Sequence, residues 1–170
     1  MSLTFIHTIR AGIPAVLCLL MFASPVAAKS RWYKYENPYF VAYSNAPEKK
    51  ALAMLDNLER FRVAFEQVSS IEVPESAPQV TVLIVRSSSE FAKLRPIKNA
   101  AGFMTSINDQ RFIVVPASGD PAWRGESIRH ELAHVWLRYH SFKYPSWYEE
   151  GFAELMSATQ FINDNQSFTV

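Results

Sequence analysis

The chain has only one cysteine, Cys18, and this residue lies in an apolar segment near the N-terminus. A single cysteine cannot form an internal disulfide framework. If the N-terminal segment is removed, the remaining chain has no thiol to serve as a nucleophile or a metal ligand. No Ser-His-Asp pattern is evident either, so the sequence gives no support to a mechanism with a protein nucleophile.

An excess of either charge is also missing. The chain has 17 Lys and Arg residues against 16 Asp and Glu residues, and loss of Arg10 with an N-terminal leader would make the two numbers equal. This balance gives no electrostatic reason to expect a nucleic-acid partner or an acidic membrane surface. Hydrophobic residues make up 49% of the 170 residues and aromatic residues 14%. This composition is typical of one globular domain with a core.

The N-terminal hydrophobic run is too short to be a typical membrane span. Residues 11–23 fall short of the roughly 20 apolar residues that a spanning helix needs. A basic residue precedes them, and Val26 and Ala28 stand at the small-residue positions of a cleavage site. We therefore predict a cleaved export signal over residues 1–28 and a periplasmic or secreted domain over residues 29–170. The alternative is an uncleaved membrane anchor.

Hydrophobic periodicity predicts alternating strands and helices in the rest of the chain, and therefore an α+β fold. The predicted strands are residues 39–44, residues 79–86 and the two arms of a hairpin around residues 108–110. The predicted helices follow Asn45, follow Ser87 up to Pro96, and cover residues 126–140 and 147–159, with a polar tail after them.

The first predicted helix has an apolar stripe at helical spacing, which indicates a face that packs in the core. Asn45 is a candidate N-cap, and Pro47 is suited to the first helical turn. The stripe consists of Leu52, Leu55, Leu58, Phe61, Phe65 and Val68.

The segment HELAH, residues 130–134, carries two histidines four residues apart. Residues at this spacing lie on one face of a helix, so His130 and His134 can direct two imidazoles toward one point. Neutral imidazole is a good zinc ligand, and a catalytic zinc site has three protein ligands and an open position. Glu131 is too close to the helix backbone to be the third ligand. It can instead take the proton of a metal-activated water.

A third ligand must come from another element, and the segment WYEEGFAEL, residues 147–155, offers two candidates. Glu150 and Glu154 are four residues apart on the last predicted helix, so both face one way. One of them can bind the metal. The other can accept a hydrogen bond from a ligand histidine and so fix its tautomer.

Together the two segments resemble the active-site pair of the gluzincin metallopeptidases. They are especially similar to the aminopeptidase-like and peptidase MA-like branches, which carry Trp-x-x-Glu-Gly-x-Ala after the zinc helix. The resemblance implies a zincin-like α+β domain with a mixed sheet and one Zn²⁺ held by His130, His134 and Glu150. It also implies that Glu131 is the general base and that Glu154 supports the metal site from the glutamate-bearing helix.

The resemblance is close over residues 126–157 and loose upstream of them. Fifteen residues separate His134 from Glu150, fewer than in the aminopeptidases, which predicts a tight loop. The chain also ends soon after the glutamate-bearing helix, where many gluzincins have a further helical subdomain that supplies a Tyr or His. No residue here can be assigned to that role, so the domain is either minimal or truncated at the C-terminus.

Three other residues near the motif receive structural interpretations. Trp147 is expected in the core or as a plug under the loop. Gly151 is expected to let the two helices approach each other closely. His140 is expected to be exposed at a helix end, where the helix dipole favours a cation.

The sequence therefore predicts an exported zinc-dependent peptidase that hydrolyses peptide or protein substrates. Residues 111–115, RFIVV, are expected to form an edge strand that binds the substrate backbone by strand addition. No nucleic-acid partner and no membrane contact of the mature form are expected, and the oligomeric state stays undetermined.

Three alternatives compete with this prediction. The strongest is a non-catalytic zinc-containing binding or structural module, although a purely structural site has no need of a carboxylate at Glu131. A chaperone-like or inhibitory domain without metal is the second. The third is a pair of surface histidines that form salt bridges with glutamates.

Overall fold

The structure is a computed structural model that describes most of the chain after residue 30. The described residues are 31–98, 100–118, 121–140, 142–162 and 167–170, without the side chains of residues 121–124. The predicted export signal, residues 1–28, lies outside the described residues.

Within these ranges the chain forms four helices and seven strands, which confirms the predicted α+β class. The helices are α1 (Glu48–Ser69), α2 (Ser88–Phe91), α3 (Pro121–Leu137) and α4 (Ser146–Ser157). The strands are β1 (Tyr33–Glu36), β2 (Phe40–Ser44), β3 (Val80–Val85), β4 (Phe103–Ile107), β5 (Gln110–Pro116), β6 (Gln160–Ile162) and β7 (Ser167–Thr169).

Five strands form a mixed sheet in the order β1-β2-β3-β5-β4. The three inner strands are parallel, with Ala42 opposite Val82 and Val82 opposite Ile113. Parallel strands need a crossover, and α1 connects β2 to β3 in this way. The two outer strands, β1 and β4, each pair with a neighbour in antiparallel orientation. The predicted mixed sheet is therefore confirmed.

The predicted hairpin is confirmed, but its edge strand is not the one expected. Asn108 and Asp109 form the two-residue turn with φ angles of 49° and 63°, as a type I′ turn requires. The segment RFIVV belongs to β5, which lies inside the sheet between β3 and β4. The prediction that it forms the edge was wrong, because its apolar C-terminal half is buried by pairing with β3. Strand β4, with exposed Thr105 and Ser106, is the edge.

Helix α1 packs with most of the predicted stripe but with a shifted face. Leu55, Leu58, Phe61 and Phe65 are buried, whereas Leu52 and Val68 are 47% and 37% exposed. The buried face also includes Ala51, Ala64 and Arg62, so the two outer residues of the stripe fall on its borders. The prediction was wrong for these two residues.

Asn45 does not cap α1, because Pro47 occupies the N-cap position. The Asn45 side chain is buried and accepts a hydrogen bond from the Arg86 backbone N–H at 2.7 Å. It also donates to Glu90 at 2.9 Å. This asparagine therefore joins the ends of β2 and β3 to the short helix α2. Ser87 does cap α2, since its hydroxyl accepts from the Glu90 N–H at 3.2 Å.

The core lies between the sheet and the helices α1, α3 and α4, around Trp136. Its ring centroid is 6.4 Å from Phe40 of β2, and 5.5 and 5.3 Å from Phe61 and Phe65 of α1. Phe65 in turn contacts Phe152 of α4 at 5.9 Å. These aromatic contacts fix α3 and α4 relative to the sheet.

Other element boundaries differ from the sequence prediction. Helix α2 ends at Phe91 rather than at Pro96, and α3 covers Pro121–Leu137 instead of residues 126–140. Strand β1 was not predicted, and the expected polar tail contains the hairpin of β6 and β7. No helix among the described residues combines the length and the apolar character needed to cross a bilayer.

Candidate metal centre

Helix α3 buries one face and turns His130, Glu131 and His134 of the HELAH segment outward from the core. Leu132, Ala133 and Trp136 are buried, whereas His130 and His134 are only partly covered. This alternation follows from the helical repeat, because residues 130 and 134 are one turn apart on the face away from Trp136. The predicted placement of both imidazoles on one face is confirmed.

Helix α4 packs directly against α3 and supplies the carboxylates. Its buried contacts are Ala153 and Met156, and Arg129 of α3 donates from Nε to the carbonyl of Ser157 at 2.9 Å. Burial lowers the pKa of Arg129, while the Glu126 carboxylate acts in the opposite direction. The Arg129 contact satisfies a terminal carbonyl of α4 and holds its C-terminal end against α3.

Three side chains converge at the contact between the two helices. The Nε2 atoms of His130 and His134 are 3.2 Å apart. Glu150 Oε2 is 3.5 Å from His130 Nε2, and Glu150 Oε1 is 3.5 Å from His134 Nε2. His130, His134 and Glu150 therefore form a group that could hold a metal ion.

These separations fit a tetrahedral metal site. Donor atoms about 2.0–2.1 Å from a tetrahedral zinc ion lie about 3.3–3.4 Å from one another. The three distances of 3.2, 3.5 and 3.5 Å are close to that value. If each Nε2 carries a lone pair, the two lone pairs and the Glu150 carboxylate repel one another. A cation bound between these three groups would remove the repulsion.

Glu154 approaches the other nitrogen of the first histidine. Its Oε2 is 3.5 Å from His130 Nδ1, somewhat longer than a hydrogen bond. A carboxylate at this position favours the tautomer with the proton on Nδ1, which leaves the Nε2 lone pair directed at the site. The two glutamates of α4 therefore approach opposite nitrogens of one imidazole.

Glu131 lies beside the group, in a groove between α3 and the edge strand β4. The groove has a volume of about 590 Å³. Pro96, Ile97 and residues 100–104 line one side, and Glu126, Ser127 and Glu131 line the other. An extended chain lying along β4 would therefore pass the Glu131 carboxylate.

Gly102 determines how closely β4 approaches α3 at the floor of this groove. A Cβ atom at Gly102 would lie 2.9 Å from Val115 Cγ1 and 3.0 Å from Ile128 Cδ1. Contacts this short would push the strand away from the helix, so the groove depends on the missing side chain.

The structure corrects two of the interpretations made for neighbouring residues. Trp147 is 76% exposed and is neither in the core nor under the loop. A Cβ at Gly151 would meet no atom within 4 Å, so this glycine does not bring α3 and α4 together. Both residues lie on the outer face of α4, whereas Ala153 makes the close contact. His140 is exposed as expected, and its Nδ1 accepts from the Phe142 N–H at 3.1 Å.

The sequence reasoning missed the groove residues Glu126 and Ser127. They lie four residues before His130 and Glu131, so they continue the same helix face by one turn. This spacing was the available signal, but only the position of β4 shows that the two residues face a groove.

Comparison with known proteins assigns no family to this arrangement: no family model matches the sequence, and no curated protein matches it significantly.

Proposed function

We propose that this protein is an exported zinc-dependent peptidase that hydrolyses peptide bonds with a metal-activated water. The observation that carries the proposal is the triad of His130, His134 and Glu150, with donor separations of 3.2–3.5 Å, together with Glu131, which follows His130 on α3 and lines a groove. A purely structural metal site has no use for an adjoining groove with a carboxylate in it.

Two imidazoles and one carboxylate form a ligand set that suits zinc at a catalytic site. His130, His134 and Glu150 would hold the zinc ion, which would supply a water with its pKa lowered from about 15.7 to about 7 and would polarise the peptide carbonyl. Glu131 accepts a proton from the attacking water and transfers it to the leaving amine. One C–O bond forms, the C–N bond breaks, and the proton ends on the amine nitrogen.

The chain's other residues orient the site and the substrate. Glu154 favours the Nδ1–H tautomer of His130, and the contact of Arg129 with Ser157 keeps α4 against α3. The open edge of β4 can pair with an extended peptide, since a sheet edge presents unpaired backbone donors and acceptors. This edge takes the role that the sequence analysis gave to residues 111–115.

The test compares metal content and cleavage in the purified protein and in two variants. Glu150→Ala removes a ligand, and we expect it to reduce bound zinc from one equivalent to a small fraction. Glu131→Gln keeps the metal but lacks the base, so we expect a loss of about 10²- to 10⁴-fold in kcat. Zinc is measured by atomic emission, and cleavage of a mixed peptide library by mass spectrometry.

Glu72→Gln is the matched control, because Glu72 is an exposed carboxylate in the loop after α1. It should match the wild type in both measurements. A protein that binds no zinc would refute the metal centre. A protein that binds one zinc ion and cleaves no peptide would favour a non-catalytic zinc-containing module.

A further inference from the structure

The groove beside the metal centre has an unbalanced charge. Glu126 and Glu131 both line it, and no Lys or Arg is among its lining residues in the described part of the chain. The rest of its lining is apolar or small, including Ile97, Phe103 and Met104. Both carboxylates are exposed to the groove, so a cationic group that enters it can contact them.

The role proposed for Glu131 does not extend to Glu126. Glu131 is the proposed base, whereas Glu126 is exposed and forms no salt bridge with another described side chain, although its charge acts to raise the pKa of Arg129. The nearest basic residue on the same helix with a described side chain is Arg129, which is buried and donates to the Ser157 carbonyl. The Glu126 carboxylate is therefore available to a group that enters the groove.

The position of Glu126 limits which part of a substrate it can contact. It lies four residues before His130 on α3, which corresponds to about 6 Å along the helix axis. A peptide extended along β4 advances about 3.3 Å per residue. Glu126 is therefore within about two substrate residues of the bond that faces the metal centre.

We propose that Glu126 is a specificity-determining residue that selects substrates with a positive charge within two residues of the scissile bond. The inference rests on the proposed peptidase function. The charged group is an ammonium or guanidinium, which a lysine or arginine side chain or a free N-terminus can provide. A charge-assisted hydrogen bond to a carboxylate favours the cationic substrate by roughly 10- to 100-fold.

Cleavage of matched peptides tests this preference. The probes share one sequence, taken from a peptide that the wild type cleaves, and carry lysine or neutral norleucine at each of the two positions on either side of the scissile bond. Each is made with an acetylated and with a free N-terminus. We expect kcat/KM for the best lysine or free-amine peptide to exceed that of its neutral partner roughly 10- to 100-fold.

Glu126→Gln should bring this ratio close to one, whereas Glu72→Gln should keep the wild-type ratio. A preference only among acetylated lysine peptides identifies a side-chain cation, and a preference only for free amines identifies the N-terminus. Equal cleavage of charged and neutral peptides by the wild type would overturn the inference. So would a preference that survives Glu126→Gln.

A binding measurement separates this inference from the proposed function. Peptide dissociation constants are measured by fluorescence anisotropy with Glu131→Gln and with Glu126→Gln/Glu131→Gln, because neither variant should cleave the probes. Tighter binding of cationic probes that depends on Glu126 supports the inference; if the wild type cleaves nothing, the probes share instead a sequence that Glu131→Gln binds. Cleavage without charge preference refutes the inference alone. A protein that neither binds nor cleaves any of the peptides refutes both.

Discussion

Two groups of charged side chains in this molecule have similar residue types and helical spacing but different charge balance. The first, the α1 cluster, consists of Arg62, Glu59 and Glu66 on α1 with Tyr39, the residue before β2. The second is the candidate metal centre, formed by His130, His134 and Glu150 with Glu154 beside them on α4. The α1 cluster contains its own cation, and the metal centre has none other than a protonated histidine.

Every charge of the α1 cluster has a partner. Arg62 contacts Glu59 at 2.6 Å and Glu66 at 2.6 Å, and its guanidinium lies 4.0 Å above the ring centroid of Tyr39. Burial acts to lower the pKa of Arg62, but hydrogen bonds and ion pairs with the two glutamates outweigh it and raise the pKa. The Glu66 carboxylate also accepts from the Val73 N–H at 2.9 Å.

The metal centre has the reverse arrangement. The two Nε2 atoms and the Glu150 carboxylate oxygens converge at 3.2–3.5 Å, and a second carboxylate, Glu154, lies beside His130 Nδ1. Glu150 and Glu154 also stay exposed, with side-chain exposures of 67% and 80%. A cluster that balances its own charge supports the fold, whereas a converging group of acceptors is suited to bind a cation from solution.

The largest expected effect is on the metal centre as a whole. If it binds zinc, the protein without zinc should have an unfolding free energy about 4 kcal/mol lower than the protein in free zinc at 1,000 times the dissociation constant. A chelator provides the zinc-free condition. For a chain of this size that corresponds to roughly 10 °C in unfolding temperature, measured by calorimetry. His134→Ala should show no such dependence on zinc. Identical melting of the wild type with and without zinc would contradict this prediction.

The second prediction removes the cation of the α1 cluster. Arg62→Met leaves two partly buried carboxylates without their partner, so we expect a loss of about 3 kcal/mol in unfolding free energy by urea denaturation. Arg60→Met is the control, because Arg60 on the same helix pairs with an exposed carboxylate, Asp56, and loss of this pair should cost under about 1 kcal/mol. Equal losses in the two variants would remove the contrast between the clusters.

The third prediction concerns the residue that supports a ligand without being part of the triad. Glu154→Gln keeps the side-chain shape but weakens the electrostatic preference for the Nδ1–H tautomer of His130. We expect zinc affinity to fall roughly 10- to 100-fold, measured by competition with a chromophoric chelator. Glu149→Gln on the same helix should have little effect. An unchanged affinity in Glu154→Gln would mean that the contact at 3.5 Å does not influence the metal site.

The smallest expected effect is the alkaline response of the α1 cluster. Burial raises the pKa of Tyr39. The Arg62 charge lowers this pKa, whereas neighbouring carboxylates raise it, and the net shift is upward. The unfolded chain therefore loses this phenol proton at a lower pH than the folded chain. The contribution to stability is complete below about pH 10 and is lost as pH rises through the folded-state pKa.

Tyr39→Phe should make the unfolding free energy decline less between pH 9 and pH 11 than in the wild type. Urea unfolding at these two pH values measures the difference, with Tyr33→Phe on the exposed edge strand as the control. A decline as steep in Tyr39→Phe as in the wild type would assign the alkaline response to other groups.

The two clusters also differ in how well the sequence predicted them. The spacing of His130 and His134 was sufficient to predict their shared face, because an i, i+4 relation depends only on the helix itself. The apolar stripe of α1 predicted the helix but not the role of Arg62. Apolar periodicity cannot predict that a charged residue is buried together with its ion-pair partners. The same local reasoning was wrong for Asn45, whose side chain bonds to Arg86 and Glu90, far along the chain.

The sequence by itself determined the mixed order of strands and helices, the site of the hairpin around residues 108–110 and the residue types available for a metal. These features depend on periods of two and 3.6 residues and on local turn preferences, which act over a few residues. Only the tertiary structure decided that Glu150 faces both Nε2 atoms while Glu154 reaches Nδ1 of His130. It also decided that β4 is the edge beside Glu131. Both outcomes depend on how the core around Trp136 packs α3 and α4 against each other and the sheet, through contacts between residues far apart in the chain.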